Sequence, residues 1–215
     1  WRPTASLEAL KLRATLLARI RTFFARQGVL EVDTPSLSAA AATDPALHSF
    51  RTDWHGPALA SGDSLYLHTS PEFPMKRLLA AGTGSIYQIC KVFRDGEAGR
   101  YHNPEFTLLE WYRIGYDHLD LMDEVEVLLR EVLADVAPFG AVDQWTYRDL
   151  FREVAGVDPL TDTVERLATA LRSRDINPPE GLALDDRDTW LDLLLTHVVE
   201  PAMGTGLVFV RDYPA

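Results

Sequence analysis

The chain has 215 residues, with 21 Lys and Arg against 32 Asp and Glu, giving a formal net charge of −11 at pH 7. Hydrophobic residues make up 47% and charged residues 25%, proportions that exclude disorder along the whole chain and allow a sizeable buried core. No apolar run approaches the ~18 residues a membrane-spanning helix needs, no signal peptide opens the chain, and one cysteine, Cys90, excludes a disulfide framework or a multi-cysteine zinc site, so a soluble cytoplasmic protein is expected.

Residues 7–26 read as a helix, with Leu10, Leu17, Ile20 and Phe24 recurring along one side and Gly28 as its C-cap. Residues 29–33 read as a short strand stopped at Pro35. Residues 36–63 lack periodicity and are expected to form a long loop with a strand fragment near 48–51; residues 65–68 form a short strand. Thr69-Ser70-Pro71-Glu72 reads as a helix start, with Thr69 or Ser70 capping, Pro71 in the first helical position and Glu72 facing the positive helix end. Two strands follow, residues 85–93 and 105–112, around a polar, glycine-containing hairpin loop. Residues 119–136 predict an amphipathic helix with Met122, Val125, Leu129, Val132 and Val136 on its stripe. Further helices are expected at 146–153, 164–172 and 186–200, the last ended by Pro201, and a final strand at 207–211. Short antiparallel strands mixed with helices make an α+β protein.

Charge is regional. Residues 117–200 carry 20 acidic and 7 basic side chains, whereas the first 116 carry 11 acidic and 13 basic. So acidic a chain is a poor general binder of nucleic acid, yet it can hold a local basic patch around a phosphate.

Alternation places Phe106, Leu108, Glu110 and Tyr112 on one strand face. An aromatic ring can stack on a heterocycle, and a carboxylate beside a phenol can hold an ammonium. The same pattern also fits an ordinary half-buried strand with Glu110 at a wet end. In the preceding loop, Arg94, Arg100 and His102 lie within nine residues, a composition suited to anions or to plain solvation. His48, His55, His68, His118 and His197 show no metal-ligand spacing, so no metal site is expected from them. There is no GxSxG elbow, Cys/His pair or P-loop.

Phe93-Arg94-Asp95-Gly96-Glu97, His102-Asn103-Pro104-Glu105-Phe106-Thr107 and Glu110-Trp111-Tyr112 together resemble motif 2 of class II aminoacyl-tRNA synthetases in its lysyl version. Residues 26–35 resemble motif 1, whose helix and strand build the superfamily's dimer interface. Thr69-Ser70-Pro71-Glu72 and Met75-Lys76-Arg77-Leu78 resemble the lysyl substrate loop. The layout is most similar to the stand-alone branch that ligates (R)-β-lysine to a lysine of translation elongation factor P, because only about six residues precede the first helix, too few for an anticodon-binding domain.

This resemblance implies a class II catalytic domain over residues 1–215, an antiparallel sheet flanked by helices, acting as a homodimer on ATP with Mg²⁺ and on lysine or (R)-β-lysine. Arg94 would grip the α-phosphate, and Asp95, Gly96, His102 and Asn103 would hold the rest of ATP, with Phe106 under adenine. Ser70, Pro71 and Glu72 would bind the amino-acid end, Glu72 its amino group, and Glu110 with Tyr112 the side-chain end. Two departures stand out. Gly96 occupies the place of a motif 2 Glu, so either backbone serves there or Glu97 swings in. The chain also ends before the metal-binding acids and the glycine-rich motif 3; with Trp at position 1, it is read as trimmed or as a piece of a longer protein. Two other readings stay open: a lysyl-tRNA synthetase catalytic core and a catalytically inactive regulatory paralogue.

Overall fold

A computed structural model describes residues 3–57, 62, 64–179 and 181–214. Part of the expected loop at 36–63 lies outside the described residues. The chain divides into two compact units, Trp1–Val132 and Leu133–Ala215.

In the first unit, helix α1 (Leu7–Arg26) starts where the Ser6 hydroxyl accepts the Ala9 N–H and ends before Gly28, whose φ of +67° suits glycine. Strand β1 (Leu30–Glu31) follows and pairs in parallel with β5 (Ile86–Phe93). β5 pairs antiparallel with β6 (Glu105–Tyr112) over its whole length, from Ile86 opposite Tyr112 to Phe93 opposite Glu105. A second sheet sets β2 (Leu37–Ser38) and β3 (Arg51–Asp53) on either side of β4 (Ser64–Leu67), both antiparallel. The expected loop therefore contains two short strands, and its tip is tied to the hairpin by an isolated bridge from His48 to Asp95.

The β5–β6 ladder sorts its side chains by face. Tyr87 and Trp111 point to the α1 side, where Phe24 stacks on Tyr87 with ring centroids 4.5 Å apart and tilts against Trp111 at 5.6 Å. Arg13 of α1 donates to Thr107 on the same face. Helix α3 (His118–Leu133) buries Glu124, Leu128 and Val132. This stripe is turned from the expected one: Met122, Val125 and Leu129 are only half-buried, and Val136 lies exposed beyond the helix. The reason is Glu124, which accepts the Trp111 indole N–H at 2.9 Å and pairs with Arg113 at 3.0 Å; a carboxylate so partnered can be buried. Helix α2 (Glu72–Ala80) begins one residue later than expected: Pro71 is its N-cap, and the Ser70 hydroxyl accepts the Glu72 N–H.

In the second unit, β7 (Val142–Thr146) pairs in parallel with β8 (Leu207–Arg211). Helices α4 (Tyr147–Val154), α5 (Val164–Arg172) and α6 (Arg187–Leu194) close a core around Phe151, Leu167, Leu171, Trp190 and Leu194. Pro201 does not end α6. The helix widens into a π-helical turn at Leu195–Val199, where the Glu200 N–H reaches back to the Leu195 carbonyl, and passes into the short α7 (Glu200–Ala202), so Pro201 falls where the regular α-helical pairing is already broken. Asp158 staples the loop after α4, accepting from Arg148, Arg152 and the Leu160 N–H.

The class is α+β. Antiparallel pairing holds for β5–β6 and β2–β4–β3 and fails for β1–β5 and β7–β8. Both parallel pairs are joined by the long connections that parallel strands require.

Candidate active site

The face of the β5–β6 ladder opposite α1 carries Gln88 beside Glu110, Cys90 beside Leu108 and Val92 beside Phe106. Glu110 is half-buried and doubly bonded. The Tyr112 hydroxyl donates to its Oε1 at 2.7 Å, and the Ser70 hydroxyl donates to its Oε2 at 2.6 Å. Ser70 thus does two things: it orders the start of α2 through the Glu72 N–H, and it joins that helix start to β6. Glu72 follows in the first turn, where the helix end favours its negative charge, with Lys76 paired to it one turn on. Burial first, then the hydrogen bond to Glu110, push the Tyr112 hydroxyl well above its ordinary range, so it stays a donor. Burial likewise raises the Cys90 thiol, partly offset by the Gln88 amide against it.

Arg94 ends β5. Its guanidinium carbon lies 5.0 Å from the centroid of the Phe106 ring, its Nε donates to the Thr69 carbonyl at 3.4 Å, and its Nη1 lies 3.7 Å from Glu97. Glu97 therefore reaches Arg94 past Gly96, whose φ of +81° holds the turn in a conformation that a Glu at 96 would adopt only with strain. Thr69 and Ser70 are neighbours, so the Arg94–Phe106 pair and the Ser70–Glu110–Tyr112 network form one continuous site face.

Of the residues singled out by sequence, the structure brings together Ser70, Glu72, Arg94, Phe106, Glu110 and Tyr112. Pro71 is buried at the N-cap of α2. Asp95 is exposed, its N–H bonded to the His48 carbonyl at 2.8 Å. His102 and Asn103 are exposed in the hairpin loop; the His102 carbonyl accepts the Gly99 N–H, and neither side chain touches Arg94 among the described contacts. Sequence reasoning missed Thr34 and Gln88, which bond to each other, and a cavity of about 600 Å³. The cavity lies between the 37–49 segment and the start of α2, with Ser70, Glu72, Asp44 and Arg77 among its lining. Gln88 had a signal: it is the one polar residue among Ile86, Cys90 and Val92 on its face. Among the described residues no group of three or more His, Cys, Asp or Glu is arranged to hold a metal, and no helix is long and apolar enough to cross a membrane.

The family model described as tRNA synthetases class II (D, K and N) matches residues 1–215. The chain is similar to curated proteins named elongation factor P--(R)-beta-lysine ligase. It is 51% identical to that of Vibrio atlanticus (strain LGP32) and 52% to that of Vibrio cholerae serotype O1, each over 219 residues, and 46% to that of Photorhabdus laumondii over 216. Each alignment takes in 100% of this chain and 65% of the relative, so the chain spans just under two thirds of the length of these proteins.

Proposed function

The chain belongs to the class II tRNA synthetases (D, K and N), and from that premise we propose that it activates lysine or (R)-β-lysine as an adenylate for ligation to a lysine of elongation factor P. The carrying observation is Glu110. It is half-buried and oriented by Ser70 and Tyr112, and it faces the same side as the Glu72 helix start. A carboxylate held this way rewards a ligand ammonium and penalises an apolar isostere, which would leave the charge unpaired. The names of the similar proteins favour elongation factor P as acceptor.

In the first step the amino-acid carboxylate attacks the α-phosphorus of ATP, and pyrophosphate leaves. In the second, a neutral amine of the acceptor attacks the acyl carbon; AMP leaves and a proton is released. Arg94 would bind the α-phosphoryl oxygens, where negative charge builds in the first transition state. On moving to phosphate it uncovers the Phe106 ring, a flat face for adenine. The turn at Asp95-Gly96 together with His102 and Asn103 lines the path of the remaining nucleotide. Ser70, Pro71 and Glu72 order the amino-acid end, Glu72 taking its amino group, and Glu110 with Tyr112 takes the side-chain end. Mg²⁺, when bound, would offset phosphate charge; the described residues hold no cluster of three or more His, Cys, Asp or Glu that fits it. The β1–β5–β6 sheet is read as the class II catalytic sheet, residues 1–215 as part of one catalytic domain, the assembly as a homodimer and the setting as cytoplasmic.

The test is ATP–pyrophosphate exchange by the full-length protein with lysine, (R)-β-lysine and norleucine. Exchange with a lysine and not with norleucine supports the reading. Equal exchange with norleucine, or none with any, overturns it.

A further inference from the structure

Gln88 is a polar side chain sealed in the interior of β5, 1% exposed. Its Oε1 accepts the hydroxyl of Thr34, itself buried, at 3.0 Å. In this orientation of the amide, Nε2 is buried without an acceptor. Buried donors are seldom left unpaired unless they have work to do. Cys90 sulfur, which the amide approaches, is only a weak acceptor.

The nearest strong candidate is given by the register. Gln88 is the cross-strand partner of Glu110, on the same face of the ladder. Side chains in such a pair stand next to each other. Each Glu110 oxygen accepts one bond, from Tyr112 or from Ser70, so each keeps a second lone pair. A buried donor lacking an acceptor thus stands beside a carboxylate with acceptor capacity to spare.

We infer that Gln88 is a positioning residue for Glu110, locked by Thr34 so that its free N–H takes the inner side of the carboxylate when a substrate ammonium occupies the outer side. An ammonium takes one of the spare lone pairs of Glu110, and an inner donor on the other side keeps the carboxylate aimed and charged as it does so. Thr34 takes part by fixing the amide and does not touch the substrate. This inference rests on the amino-acid activation proposed above.

The experiment measures ATP–pyrophosphate exchange and calorimetric lysine binding for the full-length protein and three variants: Gln88→Met, Thr34→Val and the double variant. Gln88→Met keeps the length and removes the donor. The expected result is a rise of about tenfold or more in KM for lysine and (R)-β-lysine, with KM for ATP within about twofold. Thr34→Val should raise the same KM by less, and the double variant should be no worse than Gln88→Met, because both act through one bond. Unchanged amino-acid KM, an equal rise in both KM values, or fully additive effects would overturn the inference. If Gln88→Met fails to fold, Thr34→Val decides alone by the same split. A wild type that neither exchanges nor binds any lysine overturns the activation reading and this one with it; an active wild type with normal variants overturns this one only.

Discussion

The Tyr112 hydroxyl donates to Glu110 Oε1 at 2.7 Å, two residues away along the same face of β6. Strand alternation alone makes this pair possible, and burial of the phenol keeps its proton in place, so Tyr112 remains a donor throughout the accessible pH range. Ser70 holds the second oxygen from the start of α2. The carboxylate is therefore aimed before any ligand arrives.

Glu110→Ala removes the charge that an ammonium needs. The expected outcome is a loss of ~10²-fold or more in lysine-dependent pyrophosphate exchange, from a lost charge pair of about 3–5 kcal/mol. Tyr112→Phe should lose less, since Ser70 still orients the other oxygen. Steady-state exchange kinetics against lysine concentration check both.

Arg94→Lys keeps the charge but replaces a planar fork, matched to two phosphate oxygens, with a point charge. Turnover in exchange is expected to fall by ~10²-fold or more, as for loss of a donor that meets charge in the transition state. The KM for lysine should change little. A variant with normal turnover would remove Arg94 from the nucleotide site.

The first half of α1 leaves apolar side chains in the open: Leu7 is 67% and Leu10 47% exposed, and Leu30 of β1 is 54% exposed. An apolar helix face of this kind suits a self-complementary two-fold contact. Sedimentation of the full-length protein at micromolar concentration is expected to show a dimer, and Leu10→Glu with Leu30→Glu to show monomer. A wild type that sediments strictly as monomer contradicts the homodimer.

In the second unit, the hydrogen bond from Arg148 leads the contacts that hold the Asp158 carboxyl well below the usual carboxylate range. A carboxylate whose pKa is depressed in the folded state stabilises that state fully above its unfolded pKa of about 3.9, and the contribution is lost as pH falls through and below that value. The urea midpoint should therefore drop on acidification below about pH 4. Asp158→Asn should be less stable at pH 7 and show a shallower acid dependence, measured by circular dichroism. An unchanged acid profile would remove the staple from the account.

Much of this was legible in the sequence where the signals are local. The β5–β6 hairpin announces itself by two runs rich in β-branched and aromatic residues with a polar, Gly96-containing loop between them, and the helix read at 164–172 has those bounds. Non-local facts were not legible. Strand β7, Val-Asp-Gln-Trp-Thr, is short and mixed, and becomes a strand only by pairing with β8 some sixty residues on. The α3 stripe was misread because burial of Glu124 depends on Trp111 and Arg113. The candidate residues on β6 could be singled out by alternation, and those at the helix start by the family resemblance. Thr34 was not, since its partner Gln88 lies 54 residues away.

Acceptor choice is the central claim. With ATP, Mg²⁺ and labelled (R)-β-lysine, the full-length protein is assayed side by side on elongation factor P and on lysine tRNA. Tight tRNA binding needs many phosphate contacts, and residues 117–200 carry 20 acidic side chains against 7 basic, which repel a polyanion lying along them. A protein acceptor need present only one lysine amine. The account predicts label on elongation factor P and none on tRNA; efficient charging of tRNA with no transfer to the protein would contradict it.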